Sequence, residues 1–167
     1  MINHESLKKK TYMPITFTQP QSQDLSPILQ IWKEGLSSIY PDIQITQKQE
    51  NQFKENFANR QFPYTFWVAK EDEEIIGWCS ILPVFSHPLK RYSDAEVSTY
   101  IEKEIKHNGL GTDLMKFVFN QIENTDIKNI WGFVNPKNLI SIKMCENCGM
   151  RVCDESSSKI ILIKEYL

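Results

Sequence analysis

The chain is poor in several things, and each shortage excludes something. No apolar run approaches the ~20 residues a membrane-spanning helix needs. Met1 to Lys10 is polar where a secretory leader would carry an apolar centre, so the expectation is a cytoplasmic protein with no membrane partner. Charge of either sign is without excess: 19 Lys and Arg stand against 21 Asp and Glu, mixed along the sequence. A basic stripe able to grip nucleic acid is therefore missing, and nucleic acid is not expected as a partner. Histidines number 3 and cysteines 4, namely Cys79, Cys145, Cys148 and Cys153. Cys145 and Cys148 form a CxxC pair, but a structural zinc needs four ligands, and no second pair or nearby histidine completes the set. No metal is expected, and in a reducing compartment such thiols act as small apolar residues rather than disulfides.

Glycine is scarce too, with 6 in 167 residues, yet Gly109 and Gly111 stand one residue apart. Before them, residues 95–101 alternate small or apolar residues with Glu96, Ser98 and Tyr100, the period of a strand. After them, Leu114, Phe117, Val118 and Ile122 recur at the period of a helix. A strand thus passes into a helix through a glycine-bearing loop. Glycines leave no Cβ between backbone N–H groups and a ligand, and the first helical turn adds unpaired N–H groups and a partial positive charge. Such a turn is an anion site whose natural occupant is phosphate. The alternative is that Gly109 only starts a surface helix.

The length suits one domain, with residues 1–13 as a polar, Lys-rich extension and residues 14–167 as the domain proper. Residues 15–18 read as a first strand. Asp24 or Ser26 then caps a helix whose apolar face is Leu25, Ile28, Leu29, Ile31, Trp32 and Leu36, broken at Tyr40-Pro41-Asp42. Residues 46–59 form a second helix with only Phe53, Phe57 and Ala58 to bury, which places it at a surface or over a cleft. Residues 64–70 and 75–82 are rich in aromatic and β-branched side chains and make a hairpin about the charged turn 71–74. The loop 84–94 carries His87, Lys90, Arg91 and Tyr92, and is either a substrate-contacting loop or plain surface. Beyond the central strand and helix come a strand over 127–134, a helix over 137–147 stopped by Gly149, and strands over 150–153 and 160–164. The order β α α β β β α β α β β predicts an α/β fold of the mixed α+β kind, a central twisted mixed sheet of about six to seven strands with helices on both faces.

Two segments taken together resemble the GNAT superfamily of N-acetyltransferases. The family's [Gln/Arg]-x-x-Gly-x-[Gly/Ala] loop is similar to Lys106-His107-Asn108-Gly109-Leu110-Gly111, with lysine in the opening place. Its Asn-x-x-Ser-x-x-x-[Tyr/His]-Glu-x-x-Gly-Phe run is similar to the stretch from Asn138 through Ser141, Cys145 and Glu146 to Gly149 and Met150, with Cys145 in place of Tyr or His. A third stretch, Tyr92 to Tyr100, is similar to the aromatic-then-Glu-x-Ser-x-Tyr run of the branch related to phosphinothricin acetyltransferases.

The resemblance implies acetyl-CoA as cofactor, held in three ways. The fourth and fifth strands splay so that the pantetheine arm bonds backbone at Thr99 and Ile101, to either side of Tyr100. The amides from His107 through Asn108, Gly109, Leu110 and Gly111 to Thr112 hold the pyrophosphate, and a bulky side chain at Gly111 would stand where the phosphates approach. Lys106 supplies a point charge where Arg would supply a planar fork, and Asn138 either meets the cofactor or caps its helix. For the chemistry it implies Glu96 as base, direct or through water, with Cys145 at the position of the acid and Tyr92 or Tyr100 as alternative donors. The acceptor is expected to be the amine of a small molecule or amino acid analogue. A peptide or protein amine, or a non-catalytic CoA-binding module, are the other readings, and a homodimer is left open.

Overall fold

The computed structural model describes residues 14–84, 93–105 and 108–166, so Tyr92, Lys106, His107 and most of the loop 84–94 lie outside the described residues. Seven strands make one mixed sheet: β1 (Thr16–Thr18), β2 (Phe66–Glu71), β3 (Glu74–Pro83), β4 (Asp94–Ile101), β5 (Asn129–Val134), β6 (Arg151–Glu155) and β7 (Ile160–Glu165). Their order across the sheet is β1-β2-β3-β4-β5-β7-β6. All neighbours are antiparallel except β4 and β5, which run parallel with the helix α3 (Leu110–Ile122) as their crossover. The β2–β3 hairpin turns on Asp72 and Glu73, both in the left-handed region at φ 50 and 66, which matches the twist of the strands they join.

The helices cover opposite faces, as expected. On one face α1 (Leu25–Ile39) and α2 (Gln47–Ala58) bury Ile28, Ile31 and Phe57 against Phe66, Val68 and Trp78. On the other, α3 and α4 (Leu139–Asn147) bury Leu110, Leu114, Val118 and Cys145 against Cys79, Ile81, Ala95, Val97 and Ile130. The second helix is as thin on core as its composition foretells, and two aromatics hold it. Phe53 stacks on Trp32 at 4.6 Å and meets Phe66 and Trp78 edge-on, both at 5.7 Å, pairs that each add roughly 0.5–1.5 kcal/mol beyond buried area. Thr46 caps it, accepting from the Gln49 N–H at 3.2 Å while Gln49 Oε1 accepts from the Thr46 N–H at 2.8 Å.

The cap foreseen for α1 is different. Asp24 makes no side-chain cap bond; its buried carboxylate accepts from the Gln21 N–H at 2.8 Å and pairs with Lys70 of β2 at 3.4 Å, fastening the helix to the sheet.

Candidate active site

β4 and β5 pair over three positions only: Asp94 with Asn129, Ala95 with Ile130, and Glu96 with Trp131. β4 continues along β3 to Ile101, and β5 continues along β7 to Val134, so beyond Glu96 and Trp131 the two strands part. A cavity of about 400 Å³ fills the split, walled by Val97 to Ile101, Gly132 to Asn135, the α1 residues Glu34, Gly35 and Ser38 with Tyr40 beyond them, and Met144 and Cys145 of α4. Backbone groups on the inner edge of β4 thus face open space, the arrangement an extended ligand completes by adding itself as a strand.

Because successive strand residues point to opposite faces, β4 presents two sets of side chains. Glu96 and Tyr100 belong to the α1/α2 face. Tyr100 stacks on Trp78 at 4.9 Å, and Trp78 Nε1–H donates to the Ile28 carbonyl at 3.1 Å. Gly35 lets α1 lie on this stack, since a Cβ there would overlap the Tyr100 ring. Burial pushes the Tyr100 phenol up to about 12, with Tyr40 and Glu96 adding to the shift. Glu96 stands one residue behind the cavity wall, between Leu82 of β3 and Trp131 of β5 in register. Burial there raises its carboxyl above the ordinary 4.5, against the pull of Lys159.

Thr99 belongs to the α3/α4 face. Its hydroxyl oxygen is buried and meets no hydrogen-bond partner among the described residues. It stands opposite Cys79 in register, near enough to pull against the burial that pushes that thiol up to about 12. Cys145 lines the cavity from α4 yet is only 3% exposed, and burial pushes its thiol up to about 12 as well.

At the far end of the split stands the start of α3. Gly109 precedes it at φ +85 with open space where a Cβ would be, and the first helical bond is Asp113 N–H to Gly109 O at 2.9 Å. The amides of Leu110, Gly111 and Thr112 therefore come before the helical ladder begins, beside Asn108, and remain free to donate. At Gly111 a Cβ would meet Met144 Sδ (2.7 Å) and Ile101 Cγ1 (3.6 Å), so the absence of a side chain there also lets α3 lie close to α4 and β4. Of the two readings of Asn138, the helix cap is observed. It caps α4, accepting from the Ser141 N–H at 3.2 Å, and it lines the cavity with an Nδ2 group that has no partner among the described residues.

Other features escaped the sequence. Glu34, Gly35, Ser38 and Tyr40 bring the end of α1 into the cavity wall, and the one readable sign was a glycine inside a helical pattern. Asp94, at the joint of β4 and β5, gave no sign at all. Among the described residues no group of three or more His, Cys, Asp or Glu is placed to hold a metal, and no helix is long and apolar enough to cross a membrane.

A ligand lying along the free inner edge of β4 toward the α3 amides would be extended, with an anionic group suited to that end, which fits an α/β protein with a cleft in its sheet. The chain belongs to the acetyltransferase (GNAT) family, whose model matches residues 26–150. No curated protein matches the sequence. Among solved structures, the GNAT superfamily phosphinothricin acetyltransferase of Sinorhizobium meliloti, crystallised with AcCoA, is similar at TM-score 0.73 and 15% identity over 92% of this chain and 89% of that one. The ribosomal-protein-alanine N-acetyltransferase of Brucella melitensis is similar at TM-score 0.73 and 15% identity, covering 90% and 99%. The PaiA N-acetyltransferase of Thermoplasma acidophilum, crystallised with coenzyme A, is similar at TM-score 0.69 and 19% identity, covering 92% and 100%. At these identities the likeness is one of fold.

Proposed function

We propose that this acetyltransferase uses acetyl-CoA to acetylate the amine of a small molecule by direct transfer. The split between β4 and β5 carries the reading, because the free inner edge of β4 ends at Ile101, close to Gly111 at the start of α3, and begins beside a half-buried carboxylate. The residues present suit the cofactor. The Leu110, Gly111 and Thr112 amides with Asn108 would hold the pyrophosphate, with Lys103 in the cavity wall as a nearby cation. The β4 backbone at Thr99 and Ile101 would pair with the arm, and the orphaned Thr99 hydroxyl and the free Asn138 amide would gain partners.

Bound in this way, acetyl-CoA supplies the acetyl group activated as a thioester. Glu96 takes the proton from the acceptor's ammonium group, directly or through water, and its raised pKa makes it a better base near neutrality than an exposed glutamate. Tyr100 and Tyr40 shape the acceptor side of the cavity from β4 and from the residue after α1. Cys145 keeps its proton near neutrality, which disfavours an acetyl-cysteine intermediate and makes it a poor acid for the departing thiolate.

Thiol release from acetyl-CoA across a panel of small amines, with peptide amines in a second arm, tests the reading. Turnover with small amines supports it, turnover with peptides alone reassigns the acceptor, and cofactor binding without turnover on any amine leaves a CoA-binding module.

A further inference from the structure

The groove depends on where β4 and β5 part, and one side chain at the start of their pairing reaches the last pair before they do. Asp94 is 2% exposed, and its carboxylate is fully engaged across the strand boundary. Oδ1 accepts from Asn129 Nδ2 at 2.8 Å and from the Ser93 hydroxyl at 3.3 Å, and Oδ2 accepts from Trp131 Nε1 at 3.1 Å. Both distant donors come from β5, so a single β4 carboxylate grips two β5 side chains where the pairing begins. Backbone bonds reinforce the joint, since the Ser93 carbonyl accepts from the Lys128 N–H at 2.7 Å and the Asn129 N–H at 3.1 Å. Past this joint only one more register pair, Glu96 with Trp131, forms on the same face before the strands part.

We propose that Asp94 is a positioning residue of the transfer reaction: by holding Asn129 and Trp131 together it sets the point at which the groove opens and keeps the Trp131 indole beside Glu96. The inference rests on the acetyltransferase reading above. A buried carboxylate is retained here at a desolvation cost that an apolar pair would not carry. What it supplies is directional. An indole held by a hydrogen bond at its Nε1–H has one orientation, and because Trp131 is the register partner of Glu96, that orientation would set the packing beside the carboxylate that receives the acceptor's proton on the proposed reading. Asp94 touches neither the cavity wall nor a reacting atom and acts through Trp131. Its replacement therefore alters the water around Glu96 and the reach between base and amine, and kcat more than cofactor affinity.

Three variants separate this from a merely structural role. Asp94→Ala removes both cross-strand bonds, and kcat should fall on the order of 10-fold to 100-fold, since small misplacements near the reacting centre cost that much. The acid limb of its pH profile should move down toward that of an exposed glutamate. The other groups that reach Glu96, Lys159 from the β6–β7 turn and Tyr100 on its own strand, are untouched. Asp94→Asn should restore most of the activity, because the Asn129 amide can turn over to accept from the new amide while its oxygen still accepts from Trp131. Should Asp94→Ala fail to fold, Trp131→Phe decides. It keeps an aromatic ring in register with Glu96 and removes the Nε1–H bond together with part of the indole, and a fall in kcat with the same downward shift of the limb is expected.

Unchanged kcat and pH profile in a folded Asp94→Ala variant, or in Trp131→Phe where the first does not fold, overturns the inference. So does loss in Asp94→Asn equal to that in Asp94→Ala. The NMR signal of the Trp131 indole N–H, identified by its disappearance in Trp131→Phe, reads the grip without any turnover. A signal unmoved by Asp94→Ala overturns the proposal whatever the reaction proves to be, whereas a wild-type protein that transfers nothing to any amine overturns the acetyltransferase reading and leaves the grip measurable.

Discussion

The two faces of β4 do different work with the same backbone. On the α3/α4 face stand Ala95, Val97 and Ile101, packed in the larger core, with Thr99 as the polar exception whose hydroxyl lacks a partner. On the α1/α2 face stand Asp94, Glu96 and Tyr100: Asp94 accepts from Trp131, Tyr100 stacks on Trp78, and Glu96 lies in register with Trp131. The first face places the strand and leaves one polar gap for a ligand; the second carries the titratable groups. On the proposed reading, one strand separates holding the donor from preparing the acceptor, because its side chains alternate and its inner edge is free.

The largest expected break in this division comes from Glu96→Gln. The amide keeps shape but cannot accept a proton, so kcat should fall roughly 10²-fold to 10⁴-fold, while calorimetry with acetyl-CoA shows affinity unchanged. Because burial raises the Glu96 carboxyl above 4.5, the wild-type enzyme should lose activity as pH falls through a value above 4.5, and this limb should vanish in the variant. Retention of wild-type kcat with the same limb would move the base elsewhere.

Two glycines test the faces separately. Gly111→Val sends a branched side chain toward Met144 and Ile101, displacing the start of α3. CoA should bind about tenfold more weakly, a loss of ~1.4 kcal/mol, and equal affinities in calorimetry would remove the loop from the cofactor site. Gly35→Ala drives a methyl group into the Tyr100 ring on the opposite face. Overpacking of this kind costs about 1–3 kcal/mol, so the melting temperature should drop and acceptor KM should rise while CoA affinity holds. A change in CoA affinity alone would contradict the division of labour.

The smallest effect concerns the thiols. With Cys145 pushed up to about 12 by burial, mass spectrometry after incubation with acetyl-CoA should find no acetyl adduct on it, and a stoichiometric adduct that an amine discharges would overturn direct transfer. A brief treatment with an alkylating reagent should label exposed Cys153 and leave buried Cys79, Cys145 and Cys148 intact.

Local pattern carried much of this architecture. The alternation before Gly109 and the stripe after it announce β4 and α3, and the turn residues announce the β2–β3 hairpin, because period and turn chemistry are properties of neighbours in sequence. Boundaries moved by only a residue or two, as where the strand foreseen over 127–134 begins at Asn129. What escaped depends on partners far apart in the chain. Asp94 is an ordinary acidic residue at a strand entrance until β5, 35 residues on, brings Asn129 to it. That Met144 of α4 lies where a Cβ on Gly111 would go is likewise set by distant partners. Nor does any periodicity tell that β7 lies between β5 and β6. Cys145, read with the other thiols as a small apolar residue, is buried, whereas Cys153, read the same way, is exposed.

The shortness of the β4–β5 join has a mechanical consequence. Strands β1 to β4 form one hydrogen-bonded plate and β5, β7 and β6 another, and in the sheet the plates meet at only three register pairs. A ligand lying along the inner edge of β4 and touching α4 bridges them and acts as a staple. Tight binding should then appear as heat resistance. A hundredfold excess of cofactor over its Kd adds about 2.7 kcal/mol to the folded state, and amide exchange should slow at the inner edges of both plates, where the free protein has least to hold them together.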